Sequence, residues 1–407
     1  MRVLLVSQYF WPESFRINEL INALQSEGAE ITVLTGQPNY PEGKIFKGYK
    51  AFSVKRENHN GYSIIRVPMI SRGKAGAIRL CLNYVSFIFS ACCYAPWLLR
   101  GKKFDGIFVY GLSPILVGLP AILIKKIKKK PLIIWIGDLW PESLASTGYI
   151  KNRFMLNIIE QVVKFIYQSS DLLLIQSRPF MEPVKKLAGQ VPVEYFPNPG
   201  EVLFTDRKKM ASEPVYKLRK GFNIVFAGNL GSVQALDMIL EAAVILQSEK
   251  GINIFLFGSG SMAEWLNTEI LGKKLNNIIL PGRFPPHNMP DIFDQADVML
   301  VSLVKDETMS LTVPAKLQSY LAAGKPIIAA LDGEGARIVI EARAGIACPA
   351  EDSVALAKTI LELKKQPAEK LNEMGRNGYH YHLENFDSKK LGQHLISRLQ
   401  KLINHNE

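Results

Sequence analysis

Residues 313–330, VPAKLQSYLAAGKPIIAA, read as a short helix that is stopped by its own C-terminal signals and fed into a buried strand. Gly324 stands where a left-handed cap is wanted, Pro326 forbids continuation, and residues 327–330 resume as an apolar run. The start of this helix is unusual. Thr312 and Pro314 suit a first turn, but Lys316 adds a cation where bare backbone N–H groups already carry partial positive charge. That placement costs a few tenths to about 1 kcal/mol unless an anion arrives, so a phosphate is the natural guest. The alternative is a lysine pointing sideways into water.

Two α/β halves extend from that stretch. In the first, strands are expected over 2–8, 31–35, 62–67, 106–110, 132–136 and 172–175, with a helix after the first that Ser14 caps and Gly28 ends. Buried strands alternating with helices make a doubly wound parallel sheet. The pattern restarts at Phe222, with strands over 222–227, 252–257, 277–280, 297–303 and 326–330 and a helix over 233–248. Late helices are expected over 354–365 and 389–405. The organisation is therefore a first domain over 1–200, a polar linker over 201–220, a second domain over 221–385 and a C-terminal helix, 386–407, packing back toward the first domain. The carboxyl ends of both sets of strands are expected to face a cleft.

The bulk properties agree with this plan. A chain of 407 residues, 48% hydrophobic and 21% charged, is globular and long enough for two domains. Its net charge of +12 points to nucleic acid, a phosphorylated small molecule or an acidic membrane surface. Cys81, Cys92, Cys93 and Cys348 show no Cys-x-x-Cys spacing and have no histidine nearby, so they read as reduced, buried and cytosolic. The opening MRVLLVSQYF is too short an apolar run for a secretory signal and reads as a first strand.

Residues 78–94, IRLCLNYVSFIFSACCY, are the most apolar stretch, flanked by Arg72, Lys74 and Arg79 before and Arg100, Lys102 and Lys103 after. They are nearly long enough to span a bilayer, but Arg79, Asn83, Ser86 and Ser90 form one narrow helical stripe. Two readings stand: a core helix, or a helix dipping its apolar face into a lipid interface. IKKIKKK, over 124–130, is a second cationic patch, serving acidic lipid or ending a helix in solvent. Peripheral attachment to the inner surface of a membrane is the expectation.

Several segments can carry chemistry. After the strand opening the second half, Gly228 and Gly231 permit a tight turn and Ser232 can cap the next helix, presenting N–H groups to a phosphate. The same turn is generic in α/β units, and Lys316 at another carboxyl strand end is what favours phosphate. FGSGSMA, over 257–263, matches a dinucleotide fingerprint in form. It closes the second strand of its domain instead of the first, and Pro281, Gly282 and Arg283 stand where an acid should end the next, so a nicotinamide cofactor is rejected. Gly258 and Gly260 then serve close backbone approach. In IIWIGDLWPESL, Asp138 ends a central strand and Glu142 follows. Asp138 either orients or deprotonates a hydroxyl or caps the helix opened by Pro141. His380 and His382, two apart on a helix, make a poor metal pair. With phosphate donors and no metal motif, the chain suits transfer from an activated diphosphate sugar.

At these residues the chain resembles the retaining glycosyltransferases of family four, whose GT-B fold has two Rossmann-like domains. The resemblance rests on TGQPNYPEGKIFKGY (35–49), DLWPES (138–143), PNPGEVLF (197–204), FAGNLGSVQALD (226–237) and VPAKLQSYLAAGKPII (313–328), and covers nearly the whole length. Together these are similar to the bacterial O-antigen and capsule branch that transfers N-acetyl-L-fucosamine from its UDP form. The resemblance implies a retaining, metal-independent hexosyltransferase of lipopolysaccharide or capsule biosynthesis. Its donor would bind the second domain and its polyprenyl-diphosphate-linked sugar acceptor the first. No cofactor beyond the UDP-sugar and no nucleic acid partner would be needed, and the protein would sit in the cytoplasm on the inner face of the bacterial plasma membrane. A non-catalytic partner of another transferase and a UDP-sugar epimerase are the alternatives.

The chain also departs from that family. Asn229 and Gln234 stand where it usually places an Arg and a Lys, and its two acids seven residues apart fall at Leu311 and Ser319. Lys316 and Arg283 would take over the missing charges. The implied donor site comprises Gly228, Asn229, Gly231, Ser232, Gly260, Arg283 and Ser319, with Lys316 and Asp138 catalytic. Glu13, Ser14, Arg16 and Glu142 would serve the acceptor or a closing loop, Arg16 meeting a phosphate or lying on a helix surface.

Overall fold

A computed structural model describes residues 1–73, 76–146, 150, 152–204 and 215–405. Lys74 and residues 205–214 of the expected linker lie outside the described residues. The chain forms two units, one of Met1–Pro199 with Ser388–Glu407 and one of Gly200–Asp387.

In the first unit, runs of largely apolar, buried residues become strands β1 (Arg2–Val6), β2 (Glu30–Thr35), β4 (Tyr62–Arg66), β5 (Gly106–Gly111), β6 (Leu132–Ile136) and β7 (Leu172–Ile175), and the half-buried Val193–Tyr195 forms the edge strand β8. With β3 (Lys55–His59) they order as β3-β4-β2-β1-β5-β6-β7-β8. All neighbours are parallel except β3 and β4, a hairpin whose Asn60 and Gly61 both take positive φ, 47° and 88°. That Asn-Gly pair is the sequence signal for a tight hairpin, and β3 is too polar to show by periodicity. The helices are α1 (Ile17–Ser26), α2 (Ala77–Leu98), α3 (Gly118–Lys128), α4 (Glu142–Ser146), α5 (Arg153–Gln168) and α6 (Met181–Ala188). The last helix of the chain, Ser388–His405, packs along α1, where Leu395 and Leu399 meet Leu20 and Leu24 in one core.

Two expectations for this unit are corrected, the Ser14 cap and the burial of the cysteines. Ser14 does not cap α1: it is exposed, and Arg16 holds the cap position without a side-chain bond. Asn83 and Ser86 of the α2 polar stripe face inward, because loop carbonyls and amides needing partners lie there, while Arg79 at the start of the stripe is exposed. Asn83 Oδ1 accepts from Gln8 Nε2 (2.8 Å), its Nδ2 donates to the Ile70 carbonyl (2.6 Å), and Ser86 Oγ accepts from Ile70 N–H (2.9 Å). Cys81 and Cys93 consequently face out, and of the four free cysteines only Cys348 is buried.

The second unit restarts with β9 (Phe222–Asn229), β10 (Ile252–Ser259), β11 (Ile278–Gly282), β12 (Val298–Ser302), β13 (Ile327–Ala330) and β14 (Gly345–Cys348), ordered β11-β10-β9-β12-β13-β14 and parallel throughout. Its helices are α7 (Leu236–Ile245), α8 (Ala263–Gly272), α9 (Met289–Asp294), α10 (Glu307–Ser310), α11 (Ala315–Ala323), α12 (Glu334–Glu341), α13 (Ser353–Lys364) and α14 (Ala368–Asn385), which makes Ser388–His405 α15. Apolar clusters fill both faces of the sheet, one under α7 and α13 and one under α9, α11 and α12. The described ends of 201–220 pack into this unit: Phe204 stacks on Phe293 (4.9 Å) and Tyr216 meets Phe257 edge-on (5.4 Å). Gly324 closes α11 in the left-handed conformation, φ 66°, before β13 begins, as the sequence signals require. Ser232 does not open the following helix. Residues Ser232–Gln234 form a single 3-10 turn, Ala235 takes φ 46°, and α7 starts only at Leu236.

Candidate functional site

In the second unit the site is built where β9 and β10 end level with each other, Gly228 opposite Gly258 and Asn229 opposite Ser259. Gly258 has φ 148°, and a Cβ there would stand 1.8 Å from the Gly228 carbonyl oxygen, so only glycine lets the two strand ends meet. Beyond them Leu230 N–H bonds Ser259 O (2.9 Å), Met262 N–H bonds Leu230 O (2.9 Å), and Gly260 lies against that same carbonyl. Gly231 packs on the Asn229 amide. Tyr320, buried on α11, accepts from Ala227 N–H (2.8 Å) and donates to Ala227 O (3.2 Å), fixing the end of β9.

Lys316, the second residue of α11, reaches into this corner. Its Nζ donates to Gln234 Oε1, lies 3.6 Å from the centre of the Phe226 ring, and stands 3.3 Å from where a Gly228 Cβ would be. The lysine is half-buried and does not point sideways into water. Burial with no countering carboxylate holds the amine well below the usual lysine value. Gln234 is itself fixed, Ser302 Oγ donating to its carbonyl (2.6 Å). Structure thus brings Lys316, Gly228, Gln234, Asn229 and Gly231 together. Ser232 is exposed beside them. Ser319 is buried, with Oγ 3.5 Å from Glu201 Oε2. Arg283 is exposed in the loop after β11.

In the first unit, Asp138 follows β6 and is half-buried. Burial pushes its carboxyl up to about 7, against an opposing hydrogen bond with Ser113. Helix α4 begins at Glu142, four residues on, so Asp138 is not its cap; Glu142 is exposed.

Glu13 corrects an expectation. It is 2% exposed, and its oxygens accept from the N–H groups of Asn39 (2.8 Å), Tyr40 (2.7 Å) and Phe10 (3.2 Å). It clasps the loop after β1 to the loop after β2 and presents nothing to an acceptor. Arg16 is not a surface residue either: burial draws its guanidinium down to about 10, against the opposing pull of the nearby Glu19 carboxylate.

Sequence reasoning missed two features of this unit. Arg66, with 0% exposure, bonds Glu57 (2.5 Å), Gly36 O (3.0 Å) and Trp11 O. Tyr9, Phe15 and Tyr40 cluster with ring centres 5.0–5.9 Å apart, and the Arg72 guanidinium lies 5.2 Å from the Tyr40 ring centre. The aromatic residues crowding both loops were the available signal; their partners, far apart in sequence, were not visible.

Residues 221–366 match the family described as glycosyl transferases group 1. The second unit carries a group 1 glycosyl transferase domain. That group 1 domain contains every residue of the Lys316 corner. The whole chain is similar to the probable glycosyltransferase WbjE of Pseudomonas aeruginosa, 26% identical over 373 residues covering 87% of this chain and 85% of that one. It is also similar to the putative colanic acid biosynthesis glycosyl transferase WcaI of Escherichia coli, 23% identical over 343 residues covering 80% and 82%. Among solved structures, Anabaena Alr3699/HepE in complex with UDP matches at a TM-score of 0.69 with 14% identity, covering 98% of this chain and 100% of that one. The group 1 domain and the unit before it together have the GT-B fold.

Proposed function

We propose that the chain is a retaining glycosyltransferase taking a sugar from its UDP form, with N-acetyl-L-fucosamine the preferred candidate, to a polyprenyl-diphosphate-linked acceptor in bacterial surface-polysaccharide assembly. The observation that carries this is Lys316, a desolvated amine held against a glycine turn at two strand ends by a neutral amide. Such an amine gains its charge when a diphosphate enters and is then worth more than a solvated one. The UDP complex of the Anabaena protein and the polysaccharide named for the Escherichia coli relative support the donor and the pathway class.

In this reading the amides around Gly228–Gly231 and Lys316 stabilise the leaving diphosphate as the anomeric C–O bond breaks. The acceptor oxygen bonds to the same face, and its proton passes to the departing phosphate oxygen. Asp138 orients the acceptor hydroxyl. Transfer needs no metal and no cofactor beyond the donor, so EDTA leaves it intact. The protein acts in the cytoplasm at the inner membrane face.

Protection against thermal unfolding by UDP-, GDP- and dTDP-sugars, followed by NMR analysis of the product anomer, tests the proposal. A UDP-specific rise in Tm and a retained configuration are expected. No protection by any nucleotide would leave a non-catalytic partner, and conversion of the UDP-sugar without acceptor would make the protein an epimerase.

A further inference from the structure

Helix α2 is inverted for a helix on a protein surface. Apart from the exposed Arg79 in its first turn, its polar residues turn inward, where Asn83 and Ser86 are hydrogen-bonded and Phe87 and Ala91 are fully buried. Its outward residues are apolar: Ile78, Leu82, Val85, Phe89 and Trp97, at steps of four, three, four and eight, are 79%, 44%, 52%, 69% and 67% exposed. Between Arg79 and Arg100 there is no charged residue. The apolar window within Ile78–Leu98 is only 28% buried, which a core helix would not be.

Charge surrounds this stripe. Residues 58–137 contain twelve Lys and Arg against a single acid, Asp105, so about a fifth of the chain holds +11 of its +12. Much of it gathers at one end of α2. Lys128 Nζ donates to the carbonyls of Leu99 (2.6 Å) and Lys102 (2.9 Å), tying the basic end of α3 to the end of α2. Arg100, Lys103, Lys126 and Lys129 are exposed, and the Arg100 N–H bonds the Trp97 carbonyl (3.1 Å). An aromatic rim beside cations and an uncharged stripe is the composition of an interfacial helix.

We propose that the outer face of α2 seats this unit on an anionic bilayer, lying in the interface plane with Val85 and Phe89 below the headgroups and the basic cluster against acidic lipid. The helix does not span, because the bonds of Asn83 and Ser86 and the burial of Phe87 hold its inner face in the protein. A second copy of the chain would not account for the cations, which would repel their own images. This deepens the lipid-linked acceptor reading and is tested apart from it.

Flotation of the full chain with phosphatidylglycerol-containing vesicles and with phosphatidylcholine vesicles makes the test. Wild type should float with the first at low salt and not with the second. V85E/F89E should lower the floating fraction about tenfold and K126E/K129E should also reduce it, both keeping the wild-type Tm and UDP affinity. The emission difference between wild type and W97F should shift to the blue only with anionic vesicles. Wild type remaining at the bottom, or V85E/F89E floating undiminished, would overturn the proposal. So would a wild-type dimer in solution that V85E/F89E splits, since a second copy would then own the face. Loss of UDP binding with intact flotation would instead count against the donor reading alone.

Discussion

Lys316 and Gln234 are joined side chain to side chain across 82 residues of sequence, and the bond holds the amine over Phe226 at the glycine turn. Replacing Lys316 by Met keeps an apolar stem over Phe226 and removes the charge. UDP affinity, measured by calorimetry, should fall by at least tenfold, the loss of a charge-assisted bond of about 1.5–3 kcal/mol, while the orphaned Gln234 oxygen costs only about 1 kcal/mol of stability. The sign of the pH dependence follows from the lowered amine. It is protonated only below its depressed value, so UDP should bind more weakly as pH rises through that value, and the Met variant should lack this dependence. Unchanged affinity in Lys316→Met would remove the residue from the site.

Gly258→Ala tests the strand junction. The new methyl would meet the Gly228 carbonyl at 1.8 Å, and backbone on both sides leaves no flexible group to give way. A loss of about 3 kcal/mol or more in urea unfolding is expected, larger than for Gly228→Ala, whose methyl meets only the movable Lys316 tip at 3.3 Å. Equal stabilities would mean that β9 and β10 do not approach as described.

The contrast between these residues shows what could be read in advance. The α11 helix, its Gly324 stop and the β13 run were legible because each signal lies within a few residues. The Gly228 turn was legible for the same reason. Where Lys316 points was not, since Gln234 and Phe226 are remote in sequence. Glu13 looked like an open loop acid because its three backbone donors belong partly to the next loop. The α2 stripe was read correctly as a stripe, but periodicity does not say which side is inside. Here the amide and carbonyl of Ile70, which take Ser86 and Asn83 as their partners, decided it.

Glu13 makes stability depend on pH. Its carboxyl is pushed from an ordinary 4.5 to about 7, burial outweighing the hydrogen bonds from Asn39, Tyr40 and Phe10. The folded state therefore keeps the proton to higher pH than the unfolded state. Its contribution is full below about 4.5 and is lost as pH rises through about 7, by about 3 kcal/mol at most. Melting curves between pH 5 and 8 should show wild type weakening, with Glu13→Gln less stable at pH 5 and approaching wild type by pH 8. A constant difference between the two across that range would contradict the raised carboxyl.

In the proposed mechanism Asp138 acts on transfer and not on donor binding. Its carboxyl, pushed up to about 7, is half ionised near neutrality, and only the ionised form can accept a hydrogen bond from an acceptor hydroxyl at both oxygens. Asp138→Asn preserves shape and the Ser113 contact but removes that capacity. Transfer, followed as kcat/KM for acceptor, should drop about 100-fold or more, while UDP affinity stays within about threefold because the proposed diphosphate site at Lys316 lies wholly on residues of the group 1 domain. In wild type, kcat/KM should rise with pH and level off above about 7 as the carboxyl ionises, and the variant should show no such rise. A variant that keeps a tenth of wild-type transfer with the same pH profile would mean that another group holds the hydroxyl, leaving Asp138 a buried acid that merely bonds Ser113.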